Sequence, residues 1–571
     1  MIDYFINSYI LWYNTKSKLS NGQLITHAMN NFIVIIPPIL VLALALITRR
    51  VLPSLIVGVA SASLIATKFN PIQAAILAGK RFIEQTGIKD VLFLTGDYDR
   101  IALFVFLILL GILIEIITHT GAMKVYTQRL MRYIKTGYAA QIACLTLSCF
   151  FFLDDYLNAL VVGSVMRPIT DKFKIARAKL AYLINAMASP IVLLIPASSW
   201  TGVITTQFAV SGVQHPATKT TLLNVDSFFL LLAAVPFMLY PLCSILNAWF
   251  IVLTRTSYGK MAVYEKLAVK TGNLFGGSTP LDNPHNEEIP DDASIADMLI
   301  PMATFFVVCL IMLLYTGGSV ILGGPNSLFK TLINANSVIA LCTASIISTA
   351  IGTFRFLYKR QGTVTTLGKL AFQGVSTLKM SLILLLAAWT FSAIIEKDLH
   401  VGAYVAQALG SSIPLMLIPL ILFLLATLTT ASTGSSWGTI MLLTPLALPL
   451  VINLIGTPPL DASAVYTLAP IIAALLAGAV AGAHFSPITD ATIISSTSAR
   501  SYLFDHNQTM MSYSLAPFIG TIVGYLIIGI GQKLSYITLF AVSFSTTLAI
   551  TLAYTKIRAI LLKINNKADS K

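Results

Sequence analysis

Two adjacent carboxylates, Asp154 and Asp155, stand inside an apolar run, Phe151-Phe-Leu-Asp154-Asp155-Tyr-Leu-Asn158, with Asn158 one helical turn beyond Asp154. An ionised Asp at the centre of a bilayer costs roughly 2.5–3.5 kcal/mol, so such a residue faces a protein interior, a partner or a watery cavity. In a poorly solvated place the pair repel each other, so one keeps its proton while its neighbour ionises. A cation bound there favours the doubly ionised form and expels that proton. Competition between a small hard cation and a proton is therefore the chemistry these residues can do.

Further polar groups break the apolar pattern later in the chain, at Thr433, Ser435 and Ser436 and again at His484, Ser486, Thr489 and Asp490. Carboxylate, hydroxyl and freed backbone carbonyl oxygens are hard ligands that suit Na⁺. No thiolate lies near these motifs, which disfavours soft metals. The expected cation and proton ligands are thus Asp154, Asp155, Asn158, Thr433, Ser435, Ser436, His484, Ser486, Thr489 and Asp490, with Asp155 and Asp490 holding Na⁺. No catalytic residue and no cofactor are expected.

Each residue also has a plainer reading. Asp154 or Asp155 can cap the helix that follows through its exposed amides. Asn158 can tie two helical arms together, and the Ser/Thr cluster can satisfy broken backbone. His484 reads equally as a proton carrier or as an orienting hydrogen-bond donor. Trp200 and Trp437 read as packing residues.

The elements that position these groups are membrane helices. Of the 571 residues 56% are hydrophobic and 11% charged, and the mean hydropathy is +0.82. Apolar runs recur at spanning length, which marks a polytopic, all-α membrane protein. The formal charge of +14 sits in short loops between apolar runs, where positive-inside bias accounts for it and nucleic-acid binding is not needed. The cysteines Cys144, Cys149, Cys243, Cys309 and Cys342 all lie in apolar segments without metal spacing. Residues 1–31 lack the pattern of a secretory signal.

The run 139–166 is longer than the roughly 20 residues of one crossing and too short for two. Basic flanks on both sides, with Arg129, Arg132 and Lys135 before it and Arg167, Lys172 and Lys174 after it, predict a hairpin that enters from the cytoplasm and returns. A second hairpin is expected at 413–455, flanked by no basic residues. Proline breaks two further crossings, at 180–206 and 468–496. The polar, Gly- and Pro-containing stretch up to Asp297 divides the chain.

The expected plan is an N-terminal segment 1–31, a first repeat 32–253, a cytoplasmic linker 254–297, a second repeat 298–530, and an extra helix and basic tail 531–571. Each repeat has three crossings, a re-entrant hairpin, a broken crossing and one more crossing, giving about 11 full crossings in all. An odd number per repeat inverts the second, with the N-terminus outside and the C-terminus cytoplasmic. Ser189-Pro190-Ile191 echoes Ser486-Pro487-Ile488, and Pro168 echoes Pro445. Inverted repeats with paired broken helices are typical of secondary transporters that bind substrate near the midplane.

Asp154-Asp155-Tyr-Leu-Asn158, Thr433-Gly-Ser-Ser-Trp437-Gly and His484-Phe-Ser486-Pro487-Ile-Thr-Asp490 closely resemble the motifs of the NhaC-type Na⁺/H⁺ antiporter family. The resemblance runs over about 101–530 and implies an ion-transporter architecture and Na⁺/H⁺ exchange at a prokaryotic cytoplasmic membrane. The expected partners are Na⁺, H⁺ and the lipid bilayer, with a homodimer as an open arrangement. The chain carries Ala483, Phe485 and Asn185 where the family usually has Asp, Cys and Asp. Those departures leave a Na⁺- or H⁺-coupled carboxylate exchanger as the first rival reading and an intramembrane aspartyl protease as a remote one.

Overall fold

A computed structural model describes residues 33–48, 50–88, 98–214, 222–279, 293–328, 330–331, 335–401, 404 and 414–568. The segment 1–31 and the acidic part of the linker lie outside the described residues. The fold is almost wholly helical, and nine helices among the described residues are long and apolar enough to cross a membrane.

The first hairpin forms as Gly137–Phe150 and Asp155–Lys172. Thr136 caps its start by accepting from the Ala139 amide. At about 1.5 Å per residue the first arm is shorter than a bilayer core. The second hairpin forms as Ile418–Thr433 and Ser436–Ile455, joined at Gly434 and Ser435. Its two arms, unlike the first hairpin's opening arm, are each long enough to span by length and composition. Gly434 sits at φ +78°, and a Cβ there would lie 2.6 Å from the Ile488 carbonyl oxygen, so this turn needs glycine.

The two broken crossings are Arg177–Leu194 with Ser199–Val210, and Val465–His484 with Asp490–Ala499. Gly478 and Gly482, one turn apart, let the second of these pack on the arm Ile418–Thr433. A Cβ at either would stand 2.4 Å from the carbonyl oxygens of Phe423 and Thr427 respectively. Such backbone-to-backbone approach replaces the hydrophobic drive that lipid removes.

The basic segment 355–379 is mostly helix: Ser337–Tyr358 ends in a short turn, and Val364–Lys397 begins at a capping box formed by Thr363 and Thr366. Gly368 and Gly374 do not break that helix; Gly374 instead meets the backbone of Gly111 closely. The apolar pair Ser227–Phe237 and Leu239–Leu253 is long enough for one span and is bent by 48°, next to Pro236, whose missing amide weakens the ladder there. The expected echo between Pro190 and Pro487 is out of register, because Pro190 lies inside an unbroken helix. Pro196 is the true counterpart of Pro487, two residues before the cap that restarts each helix.

The halves meet by exchange of elements. The arm Asp155–Lys172 packs on Asp490–Ala499, and Ser436–Ile455 packs on Ser199–Val210. Gly163 permits the first contact, since a Cβ there would be 2.4 Å from the Ser498 side chain.

Candidate functional site

Four helix N-termini converge where the hairpin tips meet the breaks. In the first half the Ser199 amide donates to the Leu153 carbonyl at 2.8 Å; in the second the Asp490 amide donates to the Gly434 carbonyl at 3.3 Å. Leu153 and Gly434 each precede the cap of a hairpin arm, and Ser199 and Asp490 each follow the cap of a restarted helix.

The correspondence extends to side chains. The cap Ser198 donates to the Val192 carbonyl at 2.7 Å and pairs with Thr201, while the cap Thr489 donates to the Ala483 carbonyl at 2.9 Å and to Thr492. Four residues past each hairpin cap, a polar side chain ties the arms together. Asn158 Nδ2 donates to the carbonyls of Ser148 and Phe151 at 2.7 and 3.0 Å, and Thr439 accepts from Thr430 at 2.8 Å. On this register Pro168 matches Pro449, not Pro445, each fourteen residues past its hairpin cap.

Asp154 takes the capping role. Its Oδ1 accepts from the amides of Tyr156 and Leu157 at 3.0 and 3.1 Å, and its Oδ2 from Ser199 Oγ at 2.9 Å. Asp155 opens the helix, with Oδ2 accepting from Ser189 Oγ at 3.1 Å and Oδ1 from Trp200 Nε1 at 3.2 Å. Both carboxylates are buried, at 4% and 8% exposure. All of these donors are neutral, and among the described residues no cationic side chain pairs with either acid. Asn158 is fully buried and leaves its Oδ1 without a partner.

Asp490 departs from the expected closed cavity. Its side chain is exposed, its neighbour from the first half is Tyr156, and no described hydrogen bond joins it to Asp155. The adjacent Thr489 is the residue that turns inward, at 1% exposure, because its hydroxyl satisfies the carbonyl freed at the break.

The second tip is hydroxylic. Ser435 caps its helix through the Gly438 amide at 3.0 Å, Ser436 donates to the Ala479 carbonyl at 3.0 Å, and Thr433 bonds back to Thr429. Ser486 accepts weakly from the Ile488 amide at 3.4 Å. His484 is buried and shares a hydrogen bond of 2.9 Å with the Tyr240 hydroxyl, so it orients within its own cluster and not on the acids. Among the described residues, no cluster of three or more His, Cys, Asp or Glu is placed to hold a metal.

The expected ligand set leaves out Ser189, Ser199, Tyr156, Tyr240 and His506, and Trp200, read as a packing residue, donates to Asp155. His506 lies 3.1 Å from the Asn185 amide, which also donates to Thr492. A signal for one of these existed: Ser198-Ser199-Trp200 recurs as Ser435-Ser436-Trp437 at the start of both helices. The two indole rings meet edge to face at 6.2 Å.

The model of the Na⁺/H⁺ antiporter family matches residues 217–530. The chain belongs to the Na⁺/H⁺ antiporter family. This antiporter-family chain is 29% identical over 498 residues to an uncharacterized protein of Haemophilus influenzae, covering 87% of the chain and 90% of that relative. Its helical arrangement is similar to the Alcanivorax borkumensis YdaH transporter, described as having an unusual topology, at 16% identity and a TM-score of 0.44, over 78% of this chain and 90% of that one. It is also similar to Neisseria gonorrhoeae MtrF, described with a class of antimetabolite efflux pumps, at 12% identity and a TM-score of 0.35, over 79% and 84% of the two chains. Membership of this family makes the antiporter-family chain a multi-pass membrane transporter.

Proposed function

We propose that the protein exchanges Na⁺ for H⁺ across the cytoplasmic membrane, with cation and proton competing for the carboxylates at the first hairpin tip. The observation that carries this reading is that Asp154 and Asp155 are buried side by side among neutral donors, with no described cationic partner. A buried carboxylate without a counter-ion must hold a proton or a bound cation to avoid a large desolvation cost. Asp155 is the exchanging group, since both of its oxygens receive hydroxyl or indole donors that a cation could displace or share. Asp154 is partly committed to its cap. Asp490, beside Tyr156 and exposed, is a relay acid on the way to the site, and it joins the Na⁺ ligands only when the halves close.

The matched hydrogen bonds across the breaks support two repeats of one plan, the second inverted, with the site where they meet. The basic flanks favour a cytoplasmic open end for the first hairpin and a cytoplasmic C-terminus. Proteoliposomes loaded at fixed pH test the reading: addition of Na⁺ is expected to drive proton efflux in wild type and none in Asp155→Asn. Flux that requires a small organic acid, with no response to Na⁺ alone, would remove it in favour of a carboxylate exchanger.

A further inference from the structure

A cavity of about 520 Å³ lies far from the hairpin tip, at the open end of the first hairpin. Its walls come from the start of Gly137–Phe150, the residues just after Asp155–Lys172, the end of Leu239–Leu253, and the linker helix Gly259–Thr271. One helix begins here while two others end, so the cavity sits at the level where apolar helices give way to polar surface.

Its chemistry is cationic. Lys174 and Arg255 both line it, each on a left-handed residue just past a helix end, at φ +54° and +52°. Neither forms an ion pair among the described residues; Arg255 lies 4.8 Å over the Tyr138 ring. Lys179, also in the wall, is 2% exposed and is held by Glu265 at 3.1 Å. Thr136, which accepts from the Ala139 amide, also lines the cavity with Gly137 and Tyr138 at the start of that helix. Two cations with no described ion pair, beside the hydroxyl-bearing Thr136, Tyr138 and Thr256, suit an oxyanion, and the space is large enough for one carried on a larger molecule.

We infer that this cavity binds a phosphate group, carried either by an anionic phospholipid at the membrane surface or by a soluble phosphate. The site is separate from Asp155 and does not depend on the proposed exchange. Because its walls include both ends of the first hairpin and the linker helix, occupancy would clamp the hairpin base to the linker.

The test uses the full chain in nanodiscs of phosphatidylcholine with and without phosphatidylglycerol, and measures retained lipid by native mass spectrometry and inorganic phosphate by equilibrium dialysis. The variant is Lys174→Gln with Arg255→Gln; the control is Arg129→Gln with Arg132→Gln, an equal charge change outside the cavity. Phosphatidylglycerol retained over phosphatidylcholine, weakened about tenfold or more in the cavity variant and unchanged in the control, supports a lipid occupant. Inorganic phosphate binding with the same variant dependence supports a soluble one. Absence of both, or equal loss in variant and control, overturns the proposal. Thermal unfolding of each variant within a few degrees of wild type confirms that the fold is intact.

Discussion

At the first hairpin tip the cap and the residue after it are Asp154 and Asp155, whereas at the second they are Ser435 and Ser436. At the breaks the placement is reversed, with Ser199 in the first half and Asp490 in the second. Each half therefore pairs one acid-bearing N-terminus with one hydroxyl-bearing N-terminus, joined by the same backbone hydrogen bond. The surroundings differ. The first pair is sealed by Ser189 and Trp200, and the second leaves its acid exposed. On the proposed reading, this unequal burial separates a group that binds from a group that delivers.

The largest expected effect tests that separation. Asp155→Asn should abolish Na⁺-driven proton flux, at least a hundredfold below wild type, with unfolding temperature unchanged. Asp490→Asn should also stop flux, but Na⁺ should still protect the Asp490→Asn protein against thermal unfolding and should not protect the Asp155→Asn protein. Loss of Na⁺ protection in both would place the two acids in one ligand set. Asp154→Asn should lose far less, because Asn caps a helix about as well as Asp.

The next effect concerns the turn. Gly434→Ala forces a Cβ into the Ile488 carbonyl at a left-handed φ, and should lower stability by roughly 1–3 kcal/mol. The tip of the first hairpin has no such glycine, so Leu153→Ala should cost only the packing of its side chain.

A smaller effect separates the two indoles. Trp200→Phe removes the donor to Asp155 and should change the apparent Na⁺ affinity several-fold in flux assays. Trp437 Nε1 has no partner, so Trp437→Phe should leave affinity within twofold. The smallest expected change is Ser435→Ala, which removes a cap worth about 1 kcal/mol and should lower the unfolding temperature slightly without altering ion selectivity.

Much of this was legible in the residues. Hydropathy pointed to both helical hairpins, the first with basic flanks and the second without, and prolines pointed to both breaks, because lipid forbids unsatisfied backbone and so limits where helices stop. The acids at the first tip were legible for the same reason. Register was not: Pro190 and Pro196 look alike in sequence, and only the cap two residues after Pro196 identifies the break. Nor was the burial of Thr489 against the exposure of Asp490, which depends on which neighbour satisfies the freed carbonyl of Ala483. Nor was the helix after Tyr358, since its charges suit a loop as well as a helix at the membrane surface.

The short helix Asp490–Ala499 belongs to the second half by sequence and is tied to it at its start through Gly434, yet the first half also touches both of its ends. Tyr156 stands at its start, and at its finish the buried Arg177 guanidinium donates to the Ala499 carbonyl at 2.7 Å while pairing with Asp171. A rigid piece that is covalently continuous with one domain but fastened to the other must travel with its host. If the two halves move against each other in the proposed exchange, the bending falls on the backbone at each end of this helix, between His484 and Asp490 and between Ala499 and Leu503.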